Sequence, residues 1–313
     1  MKIVTLNIAV SLCLSMIGGI TLRVRSQDNA PLSSLDLGKV LKGKRLCIVG
    51  NGSVQFLNEN ELVLLVGPDA DCYRTVQALE LITLRMDGHV LARKPWPSTF
   101  PFVVLSGGRF AVSGIGEFTV LDHAFQEVQI VSFPVAEGSS IFLQKEGSDS
   151  LLARLPHGGD FTYSGAPLVQ TKQHETKQDD RLIYERETGE AIVARGDHLF
   201  VVPSNGKDLH LADLTWLHDC NKLCQTWSGG TNWAVSENGK RAVFTSAGTR
   251  FPVTDASGLF PFWRVLVIDL STGKEIYRKE FGTKTSRRSA QLSPKGDLLL
   301  LSDGDELHFQ PLN

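Results

Sequence analysis

The sequence predicts an all-β protein. Helical periodicity is almost absent beyond the first 26 residues. What recurs instead is a run of four to seven apolar or β-branched residues bounded by Gly, Asp, Asn, Ser or Pro. Hydrophobic residues make up 42% and charged residues 21% of the 313-residue chain. That balance is ordinary for a globular protein and excludes disorder, collagen-like repeats and a polytopic membrane protein. The length suits one large β-domain, and 29 glycines supply the turns that many short strands need.

The chain opens with an address. Met1-Lys2 precedes an apolar run from Ile3 to Leu22, and Val24-Arg25-Ser26 then places small residues where a secretory signal is cut. Residues 1–26 are therefore expected to be a signal peptide and 27–313 the folded domain, exported to the periplasm or beyond after cleavage near Ser26. The rival is an uncleaved anchor, since the run approaches the ~20 residues a bilayer requires. Cleavage removes Lys2, Arg23 and Arg25 and no acid, shifting the net charge from −2 to −5. An acidic chain of this kind is not built for nucleic acid, and the mature chain is expected to be a monomer with no membrane span.

Four cysteines remain beyond Cys13, and export makes disulfides the expected state. Three pairings are possible. Cys47–Cys72 and Cys220–Cys224 are favoured because each joins nearest neighbours in sequence. A metal site at His218, Cys220 and Cys224 has unusual spacing and no evident fourth ligand.

The candidate strands include Leu46–Val49, Leu62–Val66, Leu79–Leu84, Phe110–Val112, Ala191–Ala194, Ala242–Thr245, Val265–Ile268 and Leu298–Leu301. Near the C-terminus they fall into phrases. Ala234-Val235-Ser236-Glu237-Asn238-Gly239-Lys240-Arg241-Ala242-Val243 reads as strand, tight turn, strand. Val265 to Ile276 reads as strand, Asp269-x-x-x-Gly273 turn, strand. Ala290-Gln291-Leu292-Ser293-Pro294-Lys295-Gly296-Asp297-Leu298 then repeats the first phrase, and fainter copies run over Val54–Leu62 and Leu81–Leu91.

This alternation resembles the blade grammar of WD40- and YVTN-like β-propellers, though no Trp-Asp or Gly-His pair stands at the blade ends. Taken whole, the chain is similar to exported bacterial proteins of propeller type, a likeness that supplies no chemistry. The resemblance implies a single β-propeller of six to seven blades, with seven favoured. Turns at Asn60, Gly108, Gly147, Asp197, Gly239 and Gly296 would then mark successive blades, about 40 to 60 residues apart. Ring closure is expected from Glu306–Leu312 pairing near Leu46–Val49.

Two stretches depart from the grammar. Residues 171–190 carry mixed charge and read as a solvated loop. Thr245 to Trp263 reads as a long aromatic loop between the second and third strands of a blade. There Arg250, Phe251, Asp255, Phe262 and Trp263 are candidate binding residues, a stacking platform with a charged rim. His157-Gly158-Gly159-Asp160 offers His157 and Asp160 beside a backbone that a ligand could approach closely. The histidines are scattered, with no His-x-His or His-x-x-x-His pair, and no Gly-x-Ser-x-Gly elbow is present. No catalytic residue, metal or cofactor is assigned. The expected function is a non-catalytic binding or scaffold module for a protein or glycan at the cell envelope. The alternative is a lactonase- or lyase-like propeller enzyme, metal-assisted, with its site at the central channel.

Overall fold

The computed structural model describes residues 33–47, 53–68, 79–96, 102–133, 141–147, 149–155, 159–174, 180–220, 224–226, 232–250, 260–282 and 288–313. The chain divides into two units, Met1–Pro31 and Leu32–Asn313, and every described residue belongs to the second. The expected signal peptide lies outside the described residues, as do Cys72, His157, Phe251 and Asp255.

The described strands form six antiparallel sheets laid out in chain order. After β1 (Ser33–Asp36) and a single helical turn, Gly38–Leu41, blade 1 holds β2 (Arg45–Leu46), β3 (Val54–Asn58), β4 (Glu61–Gly67), β5 (Glu80–Arg85) and β6 (Val90–Pro95). Blade 2 is β7 (Phe102–Val104), β8 (Phe110–Ser113), β9 (Glu117–Leu121) and β10 (Glu127–Ser132). Blade 3 is β11 (Phe142–Lys145), β12 (Ser150–Leu155), β13 (Gly159–Ser164) and β14 (Val169–His174). Blade 4 is β15 (Asp180–Glu185), β16 (Ala191–Arg195), β17 (His198–Val202) and β18 (Leu209–Asp213), followed by a second helical turn, Thr215–His218. Blade 5 is β19 (Cys224–Thr226), β20 (Asn232–Val235), β21 (Arg241–Arg250), β22 (Phe260–Asp269) and β23 (Glu275–Gly282). Blade 6 is β24 (Arg288–Leu292), β25 (Leu298–Asp303) and β26 (Glu306–Pro311), completed by β1.

The chain is a six-bladed β-propeller. The favoured count of seven is thus corrected. The residues that suggested another blade lengthen existing ones: β21 and β22 run ten residues each, and β2 and β19 extend the inner edges of blades 1 and 5. Closure also differs from expectation. The last strand does pair with the N-terminal end, but its partner is Ser33–Asp36, with Leu35 opposite Leu307, and not Leu46–Val49.

The second strand of each blade explains the apolar runs. It lies inside a sheet that is covered on both faces, so β4, β12, β16 and β25 are buried in continuous stretches. Outer strands alternate or lie open, as in β10 and β14. The repeated phrase is one turn made twice. Gly239 N–H and Gly296 N–H donate to Ser236 O and Ser293 O, both at 2.8 Å. In each copy the serine hydroxyl accepts the backbone N–H five residues on, at Arg241 and Leu298.

Six hydrophobic clusters fill the six seams between blades. The seam of blades 1 and 2 is aromatic, with Trp96 5.1 Å from Phe102 and 5.7 Å from Phe110 between ring centroids. The seam of blades 3 and 4 is the exception, because among the described residues its buried apolar cluster is Leu152, Leu182 and Val193 alone. Polar ties cross every seam. Gln55 Nε2 donates to Phe102 O at 2.6 Å while Val104 N–H donates to Gln55 Oε1 at 3.1 Å, so one amide replaces a unit of β-ladder between blades 1 and 2. Arg109 reaches Gly165 O, Arg154 reaches Leu182 O, Arg186 reaches Leu270 O, and Arg241 reaches Gly296 O and Leu312 O. Lys295 N–H donates to Glu59 Oε1 at 2.7 Å and ties blade 6 to blade 1.

Candidate functional site

Strands β3, β7, β11, β20 and β24 surround a cavity on the propeller axis of about 140 Å³. That is close to the ~150 Å³ of an apolar cavity that holds one benzene ring. Its wall is mostly apolar, from Phe56, Val103, Ile141, Leu143, Val235 and Leu292. Phe142 also lines the cavity yet stays 52% exposed, an open aromatic face within the ring of inner strands. Trp233 comes from β20, with the Arg154 guanidinium 5.2 Å from its ring centroid.

The polar part of the wall is made of amides, Ser113 and one ion pair. Gln55 is committed to blade 2 as described, and Gln144 Nε2 donates to Ile183 O of blade 4. Lys145, ending β11, pairs with Glu237 in the turn after β20, so opposite charges meet at the rim where the inner strands end. Among the described lining residues Glu237 is the sole carboxylate, and none is a histidine. The arrangement suits capture of one ring-sized apolar group, with hydrogen-bonding and charge at the edge to orient what carries it.

A second polar cluster lies at the sparse seam of blades 3 and 4. Glu146 Oε2 accepts from Thr162 Oγ1 at 2.9 Å, and the same hydroxyl lies 2.8 Å from His174 Nε2. His174 Nδ1 stands 3.5 Å from Glu185 Oε2. Burial pushes the Glu146 carboxyl above its ordinary range, and burial, reinforced by Lys172, pushes the His174 imidazole below its own. Among the described residues Glu146 Oε1 has no hydrogen-bond partner.

Among the described sequence-chosen residues, the Arg250 guanidinium lies 5.5 Å from the Phe262 ring centroid, while Asp160 stands apart on blade 3. Both described ends of the expected aromatic loop are strand, since β21 continues to Arg250 and β22 begins at Phe260. Phe262 and Trp263 are buried, at 2% and 5% exposure, because β22 is paired on both sides and covered on both faces. Trp263 packs on Phe281, and the Arg264 guanidinium lies 4.7 Å from the Phe262 ring centroid. They form core, not a platform. Arg250 is exposed and pairs with Glu280 at 2.5 Å. Asp160 is buried and held by Arg154 at 3.0 Å, bridging β13 and β12. The expected loop at 171–190 holds two strands, the end of β14 and all of β15, the inner strand of blade 4.

Phe142, Trp233, Lys145 and Glu237 were not singled out by sequence. Phe142 starts a short run before the Gly147 turn, so its place on an inner strand is the signal that could have found it. His198, His210 and Asp213 also meet, on the outer hairpin of blade 4.

No protein-family model matches the sequence. No curated protein matches it either. Among solved structures the chain is similar to Kluyveromyces lactis Hsv2, at 11% identity over 82% of this chain and 70% of that one, with a TM-score of 0.41. It is also similar to the β-propeller domain of Myceliophteria thermophila Cps50 (Swd1), at 10% identity over 87% and 97%, TM-score 0.43. The Neurospora crassa Pan2 WD40 domain matches at 8% identity over 83% and 88%, TM-score 0.44. These are likenesses of fold. The strand pairing itself makes the chain a propeller, a scaffold on which function resides in the site and not in the architecture.

Proposed function

We propose that the protein is an exported, non-catalytic propeller that binds a protein or glycan partner at the cell envelope through the mouth of its central channel. The observation that carries this reading is Phe142, half-exposed inside a ring-sized apolar cavity whose rim bears the Lys145–Glu237 pair. A large apolar side chain left open in a concave site is a recognition feature, and blades tied at every seam hold it in fixed geometry. A protein side chain is the favoured occupant, because a cavity of this size takes one aromatic or branched aliphatic group.

Export is supported by the signal-like residues 1–26. We propose the pairings Cys47–Cys72 and Cys220–Cys224. Intact mass of the protein from the envelope fraction is expected to show cleavage after Ser26 and the hydrogen loss of two disulfides. An uncleaved, fully reduced chain would overturn export.

Binding is tested with Phe142→Glu, at a position open enough to leave the fold intact. Affinity capture from the envelope fraction should retain a partner on the wild type and lose it on F142E, with unchanged circular dichroism. Equal capture by both rejects the channel mouth; equal capture that is lost on Arg250→Ala would move the interface to the edge of blade 5. Turnover of a lactone or uronate substrate that Glu237→Gln abolishes would replace the binding reading with the enzymatic one.

A further inference from the structure

The outer hairpin of blade 4 carries three metal-ligating side chains that the central channel does not use. His198 opens β17, and the strand register sets it directly opposite Asp213, the last residue of β18. Regular alternation would send His210 and Asp213, an odd number of residues apart, to opposite faces of the sheet. The register shift between Leu199 and Phe200 leaves Leu211 as an extra residue on β18, and this bulge turns His210 onto the face of Asp213. The bulge is packed in place, because the Leu211 carbonyl occupies the space where a side chain at Gly273 would stand.

Asp213 Oδ1 therefore lies 2.6 Å from His198 Nδ1 and 3.0 Å from His210 Nε2. All three ligand atoms fall within 4.8 Å of one another. Phe200 packs edge-on against both imidazoles, with centroid separations of 6.4 and 5.7 Å. Arg195 lies 4.8 Å over Phe200 and is itself fixed by Asp180 and Asp208. The rings are thus oriented by packing, while the three ligands remain exposed to incoming ions.

We propose that His198, His210 and Asp213 form a surface site for a late first-row divalent cation of the zinc type. Two imidazoles and a carboxylate are a donor set such ions take, whereas magnesium and calcium prefer oxygen alone. Metal–ligand distances of about 2.0–2.1 Å set donors roughly 3.3 Å apart in a tetrahedron, so His198 must move about 0.7 Å and His210 about 0.3 Å from Asp213 to admit the ion. The ion replaces the two hydrogen bonds to Asp213, and each ring presents the lone pair of the facing nitrogen. Three protein ligands leave the fourth position pointing outward, to water or to a ligating side chain of a partner.

Zinc chloride titrated calorimetrically into the full chain, freed of metal with a chelator, tests the site. One ion per chain is expected, with no heat from magnesium chloride at the same concentrations. His198→Gln combined with His210→Gln should weaken zinc binding by at least about tenfold, and Asp213→Asn alone should do likewise. Cobalt(II) should give visible absorption bands with the wild type that both variants lose. Zinc uptake of unchanged strength in the double variant would assign the ion to other histidines and overturn the proposal. An absence of zinc heat in the wild type would overturn it as well.

Discussion

Gln55 shows how much a single side chain can hold. Its amide donates to one backbone carbonyl and accepts from one backbone N–H of the next blade, as a strand residue would. Replacing Gln55 by Leu keeps the volume but leaves Phe102 O and Val104 N–H without that partner. Orphaned buried backbone groups cost about 1–3 kcal/mol each, so Q55L is expected to lower unfolding stability by roughly 2–3 kcal/mol. Urea unfolding measures it, and a change under about 0.5 kcal/mol, typical of a neutral surface substitution, would mean that solvent in the channel already serves those groups. Nothing in the sequence marks Gln55 for this role, since a glutamine near a strand start looks like a solvated residue until the neighbouring blade is in place.

Among the elements, the Asp269-to-Gly273 turn joins sequence to packing most directly. Asp269 Oδ1 accepts the backbone N–H groups of Ser271 and Thr272 at 3.0 and 2.9 Å, and Gly273 follows with a φ of 71°. A Cβ on Gly273 would stand 1.9 Å from Leu211 O, a backbone atom that cannot turn aside. Gly273→Ala should cost about 3 kcal/mol, combining left-handed strain with displacement of blade 4. A thermal midpoint within a degree of wild type would refute that packing. Here the sequence was readable, because the Asp-x-x-x-Gly spacing is the turn's own chemistry. The same holds for the Ser-x-x-Gly turns at Gly239 and Gly296 and for the apolar second strands. It is not readable at β15, whose Asp180-Arg181 start and Tyr184-Glu185 end sit in a charged stretch that reads as loop. Nor could it be read at β21 and β22, where the ladder runs on through Gly248 and Pro261, residues that usually punctuate strands. The meeting of His198, His210 and Asp213 depends on one bulge, which no local pattern announces.

Across the whole molecule, the ring has one seam unlike the others. Between blades 3 and 4 a polar cluster around Glu146, Thr162 and His174 stands beside only three buried apolar residues among those described. Burial raises the Glu146 carboxyl above its ordinary value of 4.5. The stability this gives is fully present below pH 4.5 and is lost as pH rises through the folded value, so toward neutral pH this carboxyl works against the seam. His174 has the opposite sign: burial lowers it below its ordinary 6.5, so its contribution is present above 6.5 and is lost as pH falls through the folded value. Glu146→Gln is therefore expected to raise the thermal midpoint by a few degrees at pH 7.5 and to change it little at pH 4. A gain of equal size at both pH values would mean that the substitution acts through packing and not through charge.

A propeller of six tied blades presents a fixed axial mouth, and partner capture at that mouth is the claim on which the functional reading stands. The direct measurement is photocrosslinking with a photoreactive phenylalanine at position 142, compared with the same group at Val128, an exposed position on outer strand β10. The account predicts a discrete partner adduct mapped to residue 142 and none at residue 128. Adducts of equal yield at both positions, or none at residue 142 while the partner is bound, would contradict it.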